Sequence, residues 1–435
     1  MSKINSFPLF DKLNSPNSDH DRALAVKDIP LALYIHVPWC VKKCPYCDFN
    51  SHELPINSQL SMYDEYVEAL LLDAASQQPL TQGREISSIF IGGGTPSLLP
   101  IAQYQRLFDG LREIFWFAND IEVTMEANPG TLEHAPFAEY LKVGINRLSI
   151  GVQSFSAEQL KTLGRIHNPT QALSAIKAAR SAGFERVNVD LMHGLPQQTM
   201  NEALSDIQMA HEAGATHISW YQLTIEPNTV FYRSQPVLPD EDSLADIEQA
   251  GQALLERLGY NNYEVSAWAG AADKPCRHNV NYWQFGDYLA IGAGAHGKVT
   301  LNEDAAQKLT TDTFPNEVLE EAGIYRFSKS RMPRDYITFD NDSINNAKKA
   351  GAPKMVGWQA VASDELVSEF MLNALRLHDG VAWSLFEART GLSYDSVATE
   401  VDALVKQGLL IDDEERLQPT TLGRRYLNQI LRAFL

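Results

Sequence analysis

Three cysteines fall within eight positions in HVPWCVKKCPYCDFN, residues 36–50: Cys40, Cys44 and Cys47, spaced C-x3-C-x2-C. Thiolates held so close together are suited to metal. Zinc uses four protein ligands in structural sites, or three with His and carboxylate admixed in catalytic ones, and His36 and His52 stand near enough in sequence to complete such a set. A [4Fe-4S] cluster on three thiolates would instead keep one iron without a protein ligand, an open position for a small molecule. Three unligated thiols are the bland alternative. Four cysteines in a chain of 435 residues, with Cys276 far from the others, do not make a disulfide framework.

Further polar groups recur at regular places. GGGTPS, residues 92–97, brings backbone amides within reach of a ligand, although a tight strand-to-helix turn explains the same glycines. Glu126 in TMEANPG, Gln153 in SIGVQSF, Arg165 in LGRIHN and Asp190 in NVDLMHGLP each have a cap, a surface charge or a core hydrogen bond as the structural alternative. The segment CRHNVNYWQFGDY, residues 276–288, contains His278, Asn279, Tyr282 and Trp283, and is followed by the glycine-rich AIGAGAHGK, residues 290–298.

The elements that must position these residues follow from apolar periodicity. LALYIHV, ISSIFIGGG, IEVTMEANP, RLSIGVQS, RVNVDLMHGL and HISWYQLTI suit buried strands, and MYDEYVEALLLDAAS, IAQYQRLFDGLREIF, TQALSAIKAARSAGF and NEALSDIQMAHEAGA have helical period. Six strand-helix units imply parallel strands with right-handed crossovers, in a barrel or a doubly wound sheet. In such folds sites gather at the C-terminal strand ends, where Cys40, Gly92 to Pro96, Glu126 to Pro129, Gln153 and Asp190 fall, with Arg165 on or beside such an end. Residues 1–28 lack period and read as a disordered tail, residues 301–325 as an acidic surface insertion, and residues 326–435 as a C-terminal domain ending in helices, a short hairpin and a last helix, in winged-helix-like order.

Lys and Arg total 36 against 55 Asp and Glu, a formal charge of −19, which argues against general affinity for nucleic acid or anionic membranes. No stretch approaches the roughly 20 apolar residues of a membrane span, and no secretory signal is apparent, so a cytoplasmic location is expected.

The three-cysteine motif, with Tyr46 between its last two cysteines, resembles the signature of radical S-adenosylmethionine (SAM) enzymes, whose fold is a partial (β/α)6 barrel. That resemblance implies a barrel over residues 29–228, a [4Fe-4S] cluster on Cys40, Cys44 and Cys47, and SAM contacts from Tyr34, Tyr46, Gly93, Gly94, Thr95, Glu126, Gln153, Arg165 and Asp190. LYIHVPWCVKKCPYCDFNS further resembles the oxygen-independent coproporphyrinogen III oxidase-like branch. Its true oxidases extend the motif to C-x3-C-x2-C-x-C; here that position is Phe49, which counts against oxidative decarboxylation. His278, Asn279, Tyr282 and Trp283 match an H-N-x-x-Y-W motif characteristic of the branch's heme chaperones, within a barrel extension over residues 229–300. Imidazole is a heme ligand, and aromatic rings offer flat surface to a porphyrin. The implied role is to bind heme and deliver it to membrane respiratory hemoproteins, with peripheral membrane contact compatible and monomer or dimer both open.

Overall fold

The computed structural model describes residues 24–55, 60–130, 136–312, 322–338 and 355–435. Six strands run in chain order and in parallel: β1 (Leu31–Val37), β2 (Ile86–Gly93), β3 (Phe117–Ala127), β4 (Arg147–Gln153), β5 (Arg186–His193) and β6 (His217–Gln222). The crossovers include the helices Leu60–Gln77, Ile101–Ile114, Phe137–Val143, Pro169–Ser181 and Met200–Ala213. The last two start at capping boxes, Asn168 with Gln171 and Thr199 with Glu202.

Strand side chains alternate between two faces, and here the faces differ in chemistry. Val123 and Met125, Leu148 and Ile150, and Val187 and Val189 bury themselves against helix residues such as Leu107, Phe108, Ile176 and Ile207. Between them Glu122, Thr124 and Glu126, then Arg147, Ser149 and Gln153, then Asn188 and Asp190 point to the opposite, inner face. A polar interior is the form a barrel takes when its inside holds polar ligands rather than packed aliphatic layers.

The sheet continues past both ends of this set. On the far side of β6 the hairpin β7 (Tyr260–Glu264) and β8 (Ala267–Gly270) adds antiparallel strands. Beside β1 lies β9 (Asp287–Ile291), parallel to it, then the antiparallel β10 (His296–Leu301), β11 (Gly323–Lys329) and β12 (Met355–Ala360). Among the described residues the order β12-β11-β10-β9-β1-β2-β3-β4-β5-β6-β8-β7 gives a twelve-stranded sheet with two ends, an open barrel. The fold is thus the expected α/β partial barrel, with β9 an unforeseen further parallel strand: its five residues DYLAI are all buried and too few to display a period.

Residues 1–23 of the expected tail lie outside the described residues, while Val26–Asp28 form a 3-10 turn with Val26 buried. Of the expected insertion at 301–325, residues 313–321 lie outside the described residues; Leu301 ends β10, Glu303–Asp312 is helical and Gly323 opens β11, so both ends of that stretch belong to the sheet or pack on it. The C-terminal region consists of the helices Leu366–Ala374, Trp383–Thr390, Ala398–Lys406, Thr421–Arg425 and Leu427–Arg432, with a two-stranded pairing of Val381–Ala382 and Arg416–Leu417. Phe370, Phe386, Val401 and Ile430 form its core together with Phe285 from the barrel extension. No helix among the described residues is long and apolar enough to cross a membrane.

Buried ion pairs fasten the extension to the barrel. Asp287 of β9 accepts from Arg84 Nη1 at 2.7 Å, Lys298 Nζ at 3.2 Å and the Thr300 amide at 2.9 Å. Burial alone would raise the Asp287 pKa, but Lys298 and Arg84 together hold it below the ordinary carboxylate value. Its contribution to stability is therefore present above that ordinary value and lost as pH falls through the lowered one. We predict that Asp287→Ala, which strands two buried cations, destabilises the protein by about 3–5 kcal/mol in urea unfolding at neutral pH; a loss below about 1 kcal/mol would contradict this account of the junction.

Candidate functional site

The cysteine loop leaves β1 and is closed by its own backbone. Trp39–Cys40 pairs in parallel with His52–Glu53, the Leu54 amide donates to the Cys40 carbonyl at 2.9 Å, and Lys43 Nζ donates to the Phe49 carbonyl at 3.0 Å. The loop then docks on the strand ends. The Gly94 and Thr95 amides donate to the carbonyls of Val37 and Trp39, both at 2.7 Å, and the Phe231 amide donates to Pro45 at 3.0 Å. Two glycines of GGGTPS are required by this docking. A Cβ on Gly93, whose φ is +114°, would lie 2.6 Å from the His36 ring, and one on Gly94 would lie 2.5 Å from the Trp39 carbonyl oxygen.

Each thiol has its own hydrogen-bond partner. Thr95 Oγ1 donates to Cys40 Sγ at 3.6 Å, Arg165 Nη1 to Cys44 Sγ at 3.7 Å, and Ser51 Oγ pairs with Cys47 Sγ at 3.8 Å. The first two donors are themselves joined. Arg165 donates to Asn128 Oδ1 and, at 2.5 Å, to the Gly151 carbonyl, and Asn128 Nδ2 donates to Thr95 Oγ1 at 2.9 Å. Burial raises the pKa of Cys40 and Cys47, so a cation is needed to keep them as thiolates at neutral pH. This donor set fits thiolate ligands of an iron-sulfur cluster, whose sulfurs are stabilised by such bonds.

The imidazoles that a zinc site would enlist are engaged elsewhere. His36 Nε2 donates to the Asn50 carbonyl at 2.9 Å, leaving Nδ1 to accept from the Tyr34 hydroxyl at 2.9 Å, and burial lowers the His36 pKa to about 4. His52 Nε2 donates to the Arg331 carbonyl at 3.2 Å. Among the described residues no three His, Cys, Asp or Glu side chains converge on a single ion.

The inner face of the barrel carries the other polar residues toward this loop. Glu126 Oε2 accepts from the Gly93 amide at 3.2 Å, and burial, then the nearby Asp190 carboxylate, pushes its pKa up to about 8. Asp190 accepts from Ser149 at 3.0 Å and Asn188 at 2.7 Å. Gln153, at φ +71°, accepts from the Tyr221 hydroxyl at 2.7 Å. Arg165 Nε is buried without a hydrogen-bond partner among the described residues. Tyr46 packs by Phe231, with ring centroids 6.4 Å apart. Asn128, Ser51 and Tyr221 complete these contacts and were not singled out in the sequence; Asn128 lay within the strand-end segment, but an Asn before Pro reads locally as turn chemistry.

The H-N-x-x-Y-W segment forms the helix Arg277–Trp283, anchored by the Arg277 amide donating to Glu122 at 2.9 Å. Its four residues diverge. His278 is buried, its ring 4.9 Å from Phe90 on one side and 4.9 Å from Tyr282 on another, and burial lowers its pKa to about 3. Asn279 is half-buried at the start of the helix, and Trp283 packs on the C-terminal core with the Arg376 guanidinium 5.1 Å above its ring. Cys276 is buried, donating to Glu122 at 3.4 Å. Tyr282 alone of the four lines a cavity of about 780 Å³, which it shares with Tyr34, Phe49, Tyr288, His296 and Arg331.

Comparison with known proteins accords with this geometry. The model of the radical SAM superfamily matches residues 34–210, and that of the HemN C-terminal domain residues 361–426. The heme chaperone HemW of Escherichia coli K12 is 45% identical over 410 residues, covering 94% of this chain and 99% of the relative. Those of Haemophilus influenzae and Bacillus subtilis are 43% and 30% identical, covering 93% and 92% of this chain and 98% of each relative. The structure of coproporphyrinogen III oxidase from Escherichia coli superposes with a TM-score of 0.73 at 24% identity, over 94% of this chain and 90% of that one, a likeness of fold. The chain therefore belongs to the radical SAM superfamily and, within it, to the HemW family.

Proposed function

We propose that this protein is a cytoplasmic heme chaperone that binds heme, a [4Fe-4S] cluster and SAM, and delivers heme to membrane respiratory hemoproteins. The observation that carries the reading is the joining of two sites at one barrel mouth: the three-thiol loop with its donors, and a cavity whose wall includes Tyr282 of the motif helix and Phe49 of the loop itself. Relatives named as heme chaperones align over nearly the whole chain. A cavity of about 780 Å³ is within the range that accommodates a cofactor-sized ligand.

Cys40, Cys44 and Cys47 would hold the cluster, which supplies an iron open to the amino and carboxylate groups of SAM. Thr95, Arg165 and Ser51 stabilise the ligand sulfurs and fix the loop. SAM would take its place beside that loop, against Tyr34, Tyr46, the Gly93–Gly94 backbone, Glu126, Gln153, Arg165 and Asp190. Arg165 Nε has a donor to offer a carboxylate. A Glu126 carboxyl that is protonated when the site is empty donates to a ribose hydroxyl oxygen, and its oxygens accept from ribose hydroxyls or an amino group. Decarboxylation of coproporphyrinogen III is disfavoured, because the exposed Phe49 ring presents no thiol where the oxidases have one.

Heme added anaerobically to the purified protein is expected to give a stoichiometric Soret band, and coproporphyrinogen III with SAM and reductant no product; turnover of that substrate would favour the oxidase. Replacing Cys40, Cys44 and Cys47 together by Ala is expected to abolish reconstituted iron and acid-labile sulfide, and unchanged iron content would overturn the cluster assignment. Glu126→Gln tests the polar interior. A carboxyl whose folded pKa is raised contributes stability below its ordinary value and loses it as pH rises through about 8. The variant without SAM is therefore expected to melt higher than the parent at pH 8.5, with little difference at pH 5, and to bind SAM more weakly. A lower melting temperature at both pH values would contradict the burial argument.

A further inference from the structure

We propose that heme is seated in the cavity between the cysteine loop, β9, β10 and the turn after β11, with His296 as the axial imidazole and Arg331 pairing with a propionate. This rests on the heme-binding reading above and locates it.

The imidazole singled out by the motif, His278, is 4% exposed and packed between Phe90 and Tyr282, and does not line the cavity. Its Nδ1 is buried without a hydrogen-bond partner among the described residues, shut off from solvent. His296, the first residue of β10, is exposed and lines the cavity directly. Partial desolvation by the surrounding wall, then Arg331 and Arg326, hold its pKa below the ordinary value, which favours the neutral form that ligates metal.

A porphyrin needs flat apolar contact on its faces and cations for its carboxylates. Phe49, 65% exposed, and Tyr282 and Tyr288, whose rings lie 4.2 Å apart, supply the aromatic contact. Arg331 is the exposed cation on the wall, since the other, Lys329, is buried and paired with Asp73 at 2.6 Å. Its backbone is fixed, with the carbonyl accepting from Asn50 at 2.8 Å and His52 at 3.2 Å, so the guanidinium is carried on a turn tied to the cysteine loop. Asp48 and Asp335 also line the cavity and repel a propionate, which leaves Arg331 as the exposed wall residue that attracts one. Phe49 thereby acquires a role of its own: where a thiol would serve chemistry, the ring serves contact. His278 is a positioning residue, holding Tyr282 in the wall through their edge-on packing.

The test is a ferric heme titration of the full-length protein, read by affinity and Soret position. His296→Ala should shift the Soret maximum, and added imidazole should restore it. His278→Phe should weaken binding while keeping the parent maximum. Arg331→Met should lose about tenfold in affinity for heme, the scale of one charge-assisted bond, and should no longer discriminate heme from its dimethyl ester. A His296→Ala protein with the parent spectrum and affinity, or a shifted maximum in His278→Phe alone, overturns this site while leaving heme binding intact. A parent protein that gives no Soret band overturns the site and the heme reading together. Circular dichroism identifies a misfolded variant, and imidazole rescue then decides on the folded fraction: a restored maximum supports His296, and an unresponsive one opposes it.

Discussion

The site depends on one hydrogen-bonded chain, Arg165 to Asn128 to Thr95 to Cys40, with a second branch from Arg165 to Cys44. The pairing of Trp39–Cys40 with His52–Glu53 closes the base of the loop, but three sulfurs that repel as they ionise need further support. Here the shape is imposed from the barrel. Thr95 follows β2, Asn128 follows β3, Arg165 also grips the Gly151 carbonyl in β4, and the backbones of Gly94 and Thr95 bond to the segment entering the loop. Three strand ends therefore determine where the sulfurs lie, and the apolar helix layer behind those strands determines where the strand ends lie.

The same architecture explains why the barrel is polar inside. Strands buried on both faces are usually apolar throughout. In this chain alternate residues of β3, β4 and β5 are carboxylates, amides, hydroxyls and one buried arginine, paired with one another at 2.7–3.2 Å in the Ser149, Asn188 and Asp190 group. Burying such groups costs stability unless they are satisfied, and their retention here is consistent with a ligand that completes the bonding. The raised pKa of Glu126 reflects its burial and the neighbouring Asp190 carboxylate.

Much of this was legible in the sequence because the period-2 and period-3.6 signals are local. LALYIHV became β1 with the same bounds, and C-x3-C-x2-C stands on the loop after it. Gln153, Glu126 and Asp190 are visible in the sequence as polar residues on or beside strand ends and lie on the inner face of β4, β3 and β5, whereas Arg165 follows the helix Ala157–Thr162 and reaches β4 through the Gly151 carbonyl. What could not be read was determined at long range. The five buried residues of β9 lack a period, and only pairing with β1 identifies them as a parallel strand. The motif His278, Asn279, Tyr282 and Trp283 looks like one site in sequence, yet a helix turns its members to different neighbours. The cavity beside Tyr282 is assembled from residues 48–50, 282–296 and 328–335, and no single stretch announces it.

The account stands on an iron-sulfur cluster with an iron left open to SAM beside the Arg165 network. Electron paramagnetic resonance of the reconstituted, reduced protein measures this most directly. Addition of SAM is predicted to change the g-values and line shape of the cluster signal, because the nucleotide becomes a ligand of the open iron. A signal indifferent to saturating SAM, or a reconstituted metal centre without a four-iron cluster, would contradict it.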